Sequence, residues 1–340
     1  MEKSKLSLGN SRLLSVEKKE PNPGSITRNA MLSLSVPIVM KSAGEQASRR
    51  FIEFFTAQIR NKGTRAAYRY AVEQFFGWCN LNDVAFSEIQ PIVIATYVES
   101  LANRLSAPTV KLHLAAIKML YDYLVTGQIV AFNPAASVKG PKHVVKKGKT
   151  PVLDATEARQ LLDAIDTSTI MGLRDRALIG VMVFSFARIS AVLGMNVEDY
   201  FQQGRRMWFR LHEKGSKLHD VPSHHNAESY LDDYIHAAGM DEEKKKPLFR
   251  TIGPKKGLSE NRMSRTDALR MIKRRALESG LPVKIGCHTW RATGITAYLQ
   301  NGGSLEHAMR IACHESARTT KLYDRTSDEV SLDEIERIRI

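Results

Sequence analysis

The chain is short of everything that marks a secreted or membrane protein. Only three of its 340 residues are cysteine, Cys79, Cys287 and Cys313. That is too few for a disulfide framework, which a chain this long does not need, so a reducing compartment is expected. No apolar run approaches the roughly 20 residues that cross a bilayer. The nearest candidate, Met31 to Met40, is short and broken by Ser and Pro37, and the opening Met-Glu-Lys-Ser-Lys leads into polar sequence, so neither a membrane span nor a secretory leader is expected. Carboxylates are also scarce: 36 Asp plus Glu face 50 Lys plus Arg, a formal net charge of +14. Such a balance favours a polyanionic partner, because phosphates neutralised by Lys and Arg release counterions. Charge scattered over a basic housekeeping protein would give the same total, so the total alone does not decide.

What is present divides the chain into segments. Residues 1–44, rich in Ser, Lys, Asn and Pro, show no sustained periodicity and read as a flexible arm. From residue 45 to 135 the spacing is helical, with Phe51, Phe54, Phe55 and Ile59 on one face, then Ala67 to Phe76, and further helices at about Pro91 to Arg104 and Pro108 to Leu124. Residues 136–150 combine Gly, Pro and five lysines, the composition of a basic linker: a solvated connector, or a strap against a phosphate backbone. A second domain, 151–325, opens on the capping box Asp154-Ala-Thr-Glu157. Its predicted elements are helices at 173–184, 189–195, 265–278, 290–299, 305–312 and 316–324, with two strands, 207–212 and 218–222, about a glycine-containing turn. The tail, 326–340, spaces Leu332, Ile335 and Ile338 as a short amphipathic helix, which could be exchanged with a neighbouring protomer or pack on its own domain. The fold class is therefore mainly α with one small antiparallel sheet.

The residues that carry chemistry lie toward the end: His288-Thr-Trp-Arg291, Cys313-His314, and Tyr323 within Thr319-Thr-Lys-Leu-Tyr-Asp-Arg325. A tyrosine that attacks phosphorus must lose its proton, yet with a pKa of about 10 it is roughly one part in a thousand phenolate at neutral pH. It needs a base beside it, cations for the transition-state oxygens, and a proton donor for the departing oxygen. Arginine suits the oxygens through its planar, permanently charged fork. Two arginines, a lysine and two histidines around one tyrosine meet these demands with no metal and no cofactor.

Phe186-Ala-Arg188-Ile-Ser190, Lys214 in the hairpin, His288-xx-Arg291, His314 and Tyr323 resemble, in order and spacing, the signature of the tyrosine recombinases, the phage integrase family. The resemblance covers about residues 45–325. It implies a two-domain clamp, an N-terminal helical core-binding domain and a C-terminal α-rich catalytic domain, acting on double-stranded DNA as a homo-oligomer, a tetramer. It also implies roles for the site residues. Tyr323 would attack the scissile phosphorus and form a 3′-phosphotyrosyl link, and Arg188 and Arg291 would hold the non-bridging oxygens. Lys214 would protonate the leaving 5′-oxygen, with Lys217 in the same turn as the alternate. His288 would be the acid/base toward tyrosine, and His314 would hydrogen-bond a phosphate oxygen. The expected function is a site-specific recombinase of a mobile genetic element, cytoplasmic and associated with the nucleoid, and simple enough to work without accessory sites.

Two positions depart from the family pattern. Ala191 stands where an acidic residue usually follows the first arginine by three, leaving Glu198 or Asp199 as substitutes, and Cys313 stands where glycine usually precedes the histidine. The pairs Cys287-His288 and Cys313-His314 could be read as zinc ligands, but adjacent residues diverge and lack Cys-xx-Cys spacing; thiols flanking the site could instead make it oxidation-sensitive. Arg270, Lys273, Arg274 and Arg275 form a basic stretch that either contacts phosphate or faces solvent, and Lys244 to Lys246 read as loop surface. Two alternatives share much of the pattern: a type IB topoisomerase-like enzyme that cleaves and reseals one strand, and an architectural DNA-binding protein without cleavage.

Overall fold

The computed structural model describes residues 35–144, 148–213, 215, 217–254, 257–281, 284–324 and 335–336. Lys214, most of the arm and nearly all of the tail lie outside the described residues. The chain forms two compact units that divide between Val144 and Val145.

The first unit is helical among its described residues: α1 (Ile38–Ser42), α2 (Glu45–Glu53), α3 (Lys62–Leu81), α4 (Pro91–Ala102) and α5 (Ala107–Thr126). It starts earlier than the expected boundary at residue 45, because Val39 and Met40 on α1 are buried in the same core as Phe51 and Phe76. A π-helical turn, Phe54–Gln58, extends α2 and sets Phe55 edge-on to both Phe51 and Phe54, with centroids 5.1 and 4.8 Å apart. Asn61 caps α3 by accepting from the Thr64 amide, and Pro91 opens α4 where its missing N–H costs nothing.

The second unit is built around α7 (Ile170–Phe184), which is buried on nearly every side, as a central helix must be. Before it lies α6 (Ala155–Asp163), opened by the expected Asp154/Glu157 capping box. After it come α8 (Ile189–Gly194) and a three-stranded antiparallel sheet, β1 (Tyr200–Gln203), β2 (Arg206–His212) and β3 (Leu218–Pro222). The β2–β3 pairing runs from Trp208 opposite Pro222 to His212 opposite Leu218. Next are α9 (His225–Ala238), a second hairpin of β4 (Arg250–Ile252) and β5 (Leu258–Arg262), then α10 (Arg265–Glu278), α11 (Cys287–Gln300), α12 (Leu305–Ile311) and α13 (Ala317–Lys321). Sequence periodicity did not disclose β1, α9 or the second hairpin. Gly294 lets α11 lie tight on α7: a Cβ there would sit 2.1 Å from the Val183 carbonyl oxygen.

One buried carboxylate organises this unit. Asp175 on α7 is fully buried and accepts from Arg174 (2.6 Å), Arg274 (2.9 Å) and Arg275 (2.8 Å). The basic stretch on α10 is therefore split. Arg275 is buried on Asp175 and Glu278 and cannot serve phosphate, and Arg274 is partly committed, whereas Arg270 and Lys273 are exposed. Breaking a buried ion cluster from one side costs about 3–5 kcal/mol. Asp175→Asn is accordingly expected to lower the thermal midpoint of this unit by roughly 6–20 °C, read by circular dichroism or calorimetry.

Candidate active site

Helix α11 supplies the centre of the site. His288 and Arg291 are three residues apart and share one face of its first turns. Arg291 is 1% exposed and has no carboxylate bonded to it among the described residues; its guanidinium is held by backbone, Nη1 donating to the Phe186 carbonyl and Nη2 to the Ala312 carbonyl at 2.6 Å. Both holding points depend on unusual backbone. Phe186 (φ 54) and Cys313 (φ 48) are left-handed, a conformation that costs a side-chain-bearing residue about 1–2 kcal/mol. Such strain persists where the surroundings overdetermine it, commonly at functional sites. Glycine is the natural occupant of that region, which gives Cys313 a physical meaning.

Tyr323 lies two residues beyond α13, not within a helix as its sequence context predicts, and its backbone is fixed by α11: Thr296 Oγ1 donates to the Tyr323 carbonyl at 2.9 Å. The phenol meets His288 Nε2 at 2.6 Å. The His314 ring lies nearly parallel to the phenol, centroids 5.8 Å apart and 12° between planes. His314 Nδ1 pairs with the Thr320 hydroxyl at 2.9 Å, and Thr320 is fully buried. With neutral imidazole accepting that hydroxyl at Nδ1, Nε2 keeps the proton and can donate. Thr320 is thus a site residue that sequence reasoning missed, since nothing distinguishes it from a surface threonine in a polar run.

Arg188, the N-cap of α8, bonds through Nη1 to Glu213 Oε2 at 2.5 Å. Neither expected substitute for the absent acid at Ala191 takes this place. Asp199 accepts from the Asn196 amide and lies 3.1 Å from His212 Nε2, and Glu198 is exposed. Arg188, Glu213, Lys217, Cys313, His314 and Thr319 line an open cavity of about 480 Å³. Lys217 pairs only loosely with Glu315, at 3.8 Å between exposed groups, a contact worth little.

Burial and the two guanidiniums together set the charge state of the imidazoles. Burial first, then Arg291 and Arg188, holds the His288 pKa below its ordinary value. The same causes, with His288 added, push His314 down to about 3. Both rings are therefore neutral at physiological pH, one able to accept the phenol's proton and the other able to donate without carrying charge. Burial raises the Cys287 thiol, the opposite of an activated thiolate. No cluster of three or more His, Cys, Asp or Glu with metal-binding geometry occurs among the described residues. The site can thus bind an anion with arginine, deprotonate a phenol and donate neutral hydrogen bonds.

Residues 151–329 match the model of the phage integrase family, and residues 48–129 match that of the phage integrase N-terminal SAM-like domain. The chain belongs to the phage integrase family of tyrosine recombinases. Among its relatives, the tyrosine recombinase XerC of Thermodesulfovibrio yellowstonii is 28% identical over 268 residues, 76% of this chain and 84% of the relative. The tyrosine recombinase XerD of Chlorobaculum tepidum is 27% identical over 282 residues, covering 80% and 89%. The fold is shared with the XerH site-specific recombinase in its pre-cleavage complex with difH substrate, at a TM-score of 0.64 with 19% identity over 95% of this chain and 90% of that one. It is shared as well with a lambda integrase dimer bound to a COC' core site, at a TM-score of 0.63 with 16% identity over 93% and 85%.

Two outcomes follow from the geometry of this recombinase. Cys313→Gly relieves a left-handed side chain and is expected to leave the fold intact while raising stability by about 1 kcal/mol, some 2–4 °C in thermal midpoint; the β-branched Cys313→Val is expected to lower it. The second concerns acid. Below pH 6.5 an unfolded histidine takes up a proton, whereas folded His314 does so only near 3. Stability present at pH 7 is therefore lost as pH falls through that window, by up to about 1.4 kcal/mol per pH unit. Urea unfolding at pH 7 and pH 5.5 measures the loss, which should narrow in His314→Gln.

Proposed function

We propose that this chain is a site-specific DNA recombinase that cuts and rejoins strands through a 3′-phosphotyrosyl intermediate. The observation that carries the reading is the 2.6 Å contact between His288 Nε2 and the Tyr323 hydroxyl, which pairs a nucleophile with a neutral base. The phenol oxygen attacks the scissile phosphorus as its proton passes to His288. Arg188 and Arg291 balance the charge on the non-bridging oxygens, and His314 adds a hydrogen bond through Nε2. Arg291 Nε, buried without a hydrogen-bond partner among the described residues, is one donor suited to that task. The O5′–phosphorus bond breaks, and the departing oxygen takes a proton from Lys214, leaving a phosphotyrosine and a free 5′-hydroxyl. A 5′-hydroxyl from another strand reverses these steps, so bond energy is conserved and no ATP is needed.

The helical first unit serves DNA binding, the net charge of +14 supplies the non-specific part of affinity, and four copies act together on two sites. The relatives support this assembly, since a lambda integrase tetramer bound to a Holliday junction has the same fold at a TM-score of 0.62. The expected setting is the bacterial cytoplasm, on DNA of a mobile element. The hydrogen-bonded tyrosine and histidine favour an enzyme over an architectural binder, and a two-site recombination assay separates it from a topoisomerase-like enzyme, which reseals one strand without synapsis.

The test uses duplexes selected for binding from a randomised pool, nicked near the centre so that cleavage releases a short strand and traps the adduct. In EDTA, wild type is expected to give a denaturant-resistant protein–DNA adduct and Tyr323→Phe none. No adduct on DNA that the protein binds, or an undiminished adduct with Tyr323→Phe, overturns the reading.

A further inference from the structure

The Arg188–Glu213 pair joins two parts of the site that the chain supplies separately. Glu213 directly follows β2, and its amide donates to the Lys217 carbonyl at 2.8 Å. Its side chain is only 3% exposed and spends its charge on Arg188, whose own side chain remains 37% exposed toward the cavity. A carboxylate this buried needs a partner, and a guanidinium with five N–H donors can give one to Glu213 and keep the rest for another anion. The same hairpin is tied to the other side of the site by His219, whose Nε2 meets the Ile311 carbonyl oxygen at 3.1 Å, three residues before His314. Glu213 also offsets the charge of Arg291, which Arg188 opposes.

We propose that Glu213 is a positioning residue for DNA cleavage: it aims Arg188 at the scissile phosphate, the task that no side chain at Ala191 can perform. The inference rests on the proposed strand-cleavage activity. It makes a prediction opposite to simple electrostatics. Removing a carboxylate from a DNA-facing site strengthens attraction for phosphate, so DNA affinity should hold or rise, while the rate of adduct formation falls because Arg188 loses its anchor.

The experiment measures DNA affinity and the single-turnover rate of adduct formation on the same nicked duplex for wild type, Glu213→Gln, Glu213→Ala, Arg188→Lys, and Arg188→Lys with Glu213→Gln. Glu213→Gln, isosteric and still a hydrogen-bond acceptor, is expected to slow cleavage roughly 10- to 100-fold with unchanged or tighter binding, and Glu213→Ala more. In the Arg188→Lys background the Gln substitution should cost only a few-fold, because its effect runs through Arg188. If Glu213→Ala does not fold, Glu213→Gln decides. A Gln variant that cleaves at the wild-type rate or faster, or one equally harmful in both backgrounds, overturns the assignment. Failure of wild type to form any adduct would instead strike the proposed function.

Discussion

A guanidinium buried to 1% exposure without a carboxylate bonded to it among the described residues must be held by something else, and around Arg291 that is the backbone. Two carbonyls accept from it, those of Phe186 and Ala312, 105 and 21 residues away. Each belongs to a segment that turns sharply through a left-handed residue, Phe186 itself and Cys313 next to Ala312. Losing the guanidinium would leave both turns strained and two buried acceptors unpaired. Arg291 is therefore the point at which three pieces of chain meet: the residues leading to Arg188, those leading to His314, and helix α11. Charge matched by carbonyl dipoles is not neutralised as a carboxylate would neutralise it, so the site keeps positive potential for an anion.

That potential explains the histidines. In water an imidazole near neutral pH is poised between two states, but beside Arg291 and Arg188 the cationic state is disfavoured twice, by burial and by like charge. The consequence is a division of labour. The arginines carry the positive charge, and the imidazoles stay neutral. Thr320 holds His314 in place through a hydrogen bond at Nδ1, leaving Nε2 for another partner. Glu213 supplies a measured amount of negative charge on one side, enough to anchor Arg188 and too little to cancel the site.

Much of the arrangement was legible in the sequence, because three-residue spacing on a helix is a local property. His288 and Arg291 share a face whatever the rest of the chain does, and Arg188 in an apolar stretch already asks for a purpose. What was not legible depends on contacts that sequence proximity cannot report. Ala191 shows that an acid is missing but not where its replacement lies; the replacement is at the end of a strand 25 residues from Arg188, and only the β2–β3 register places it. Arg275 looked like part of a basic surface because Asp175, its partner, is 100 residues away. Helix α9 escaped notice because its apolar positions, Ala227, Leu231, Tyr234 and Ile235, are diluted by His, Asn and Asp. The segment around Met31 to Met40 read as arm because one short helix has no periodicity to detect, yet Val39 and Met40 are buried in the core of the first unit.

Helix α11 shows how the parts become one device. Along successive turns it carries the base candidate His288, the anchored Arg291, then Thr293, whose hydroxyl accepts from the Leu153 amide, and Thr296, which donates to the Tyr323 carbonyl. The nucleophile candidate and its base are thus referred to the same rigid rod: one by its backbone, the other by its place in the first turn. Rigidity at both ends of a 2.6 Å hydrogen bond matters, because a proton transfer loses efficiency steeply with misplacement. A tyrosine on a loop with no such reference would sample positions away from its base. One threonine hydroxyl, that of Thr296, unremarked in the sequence, converts a loop residue into one whose distance to histidine is set by helix geometry.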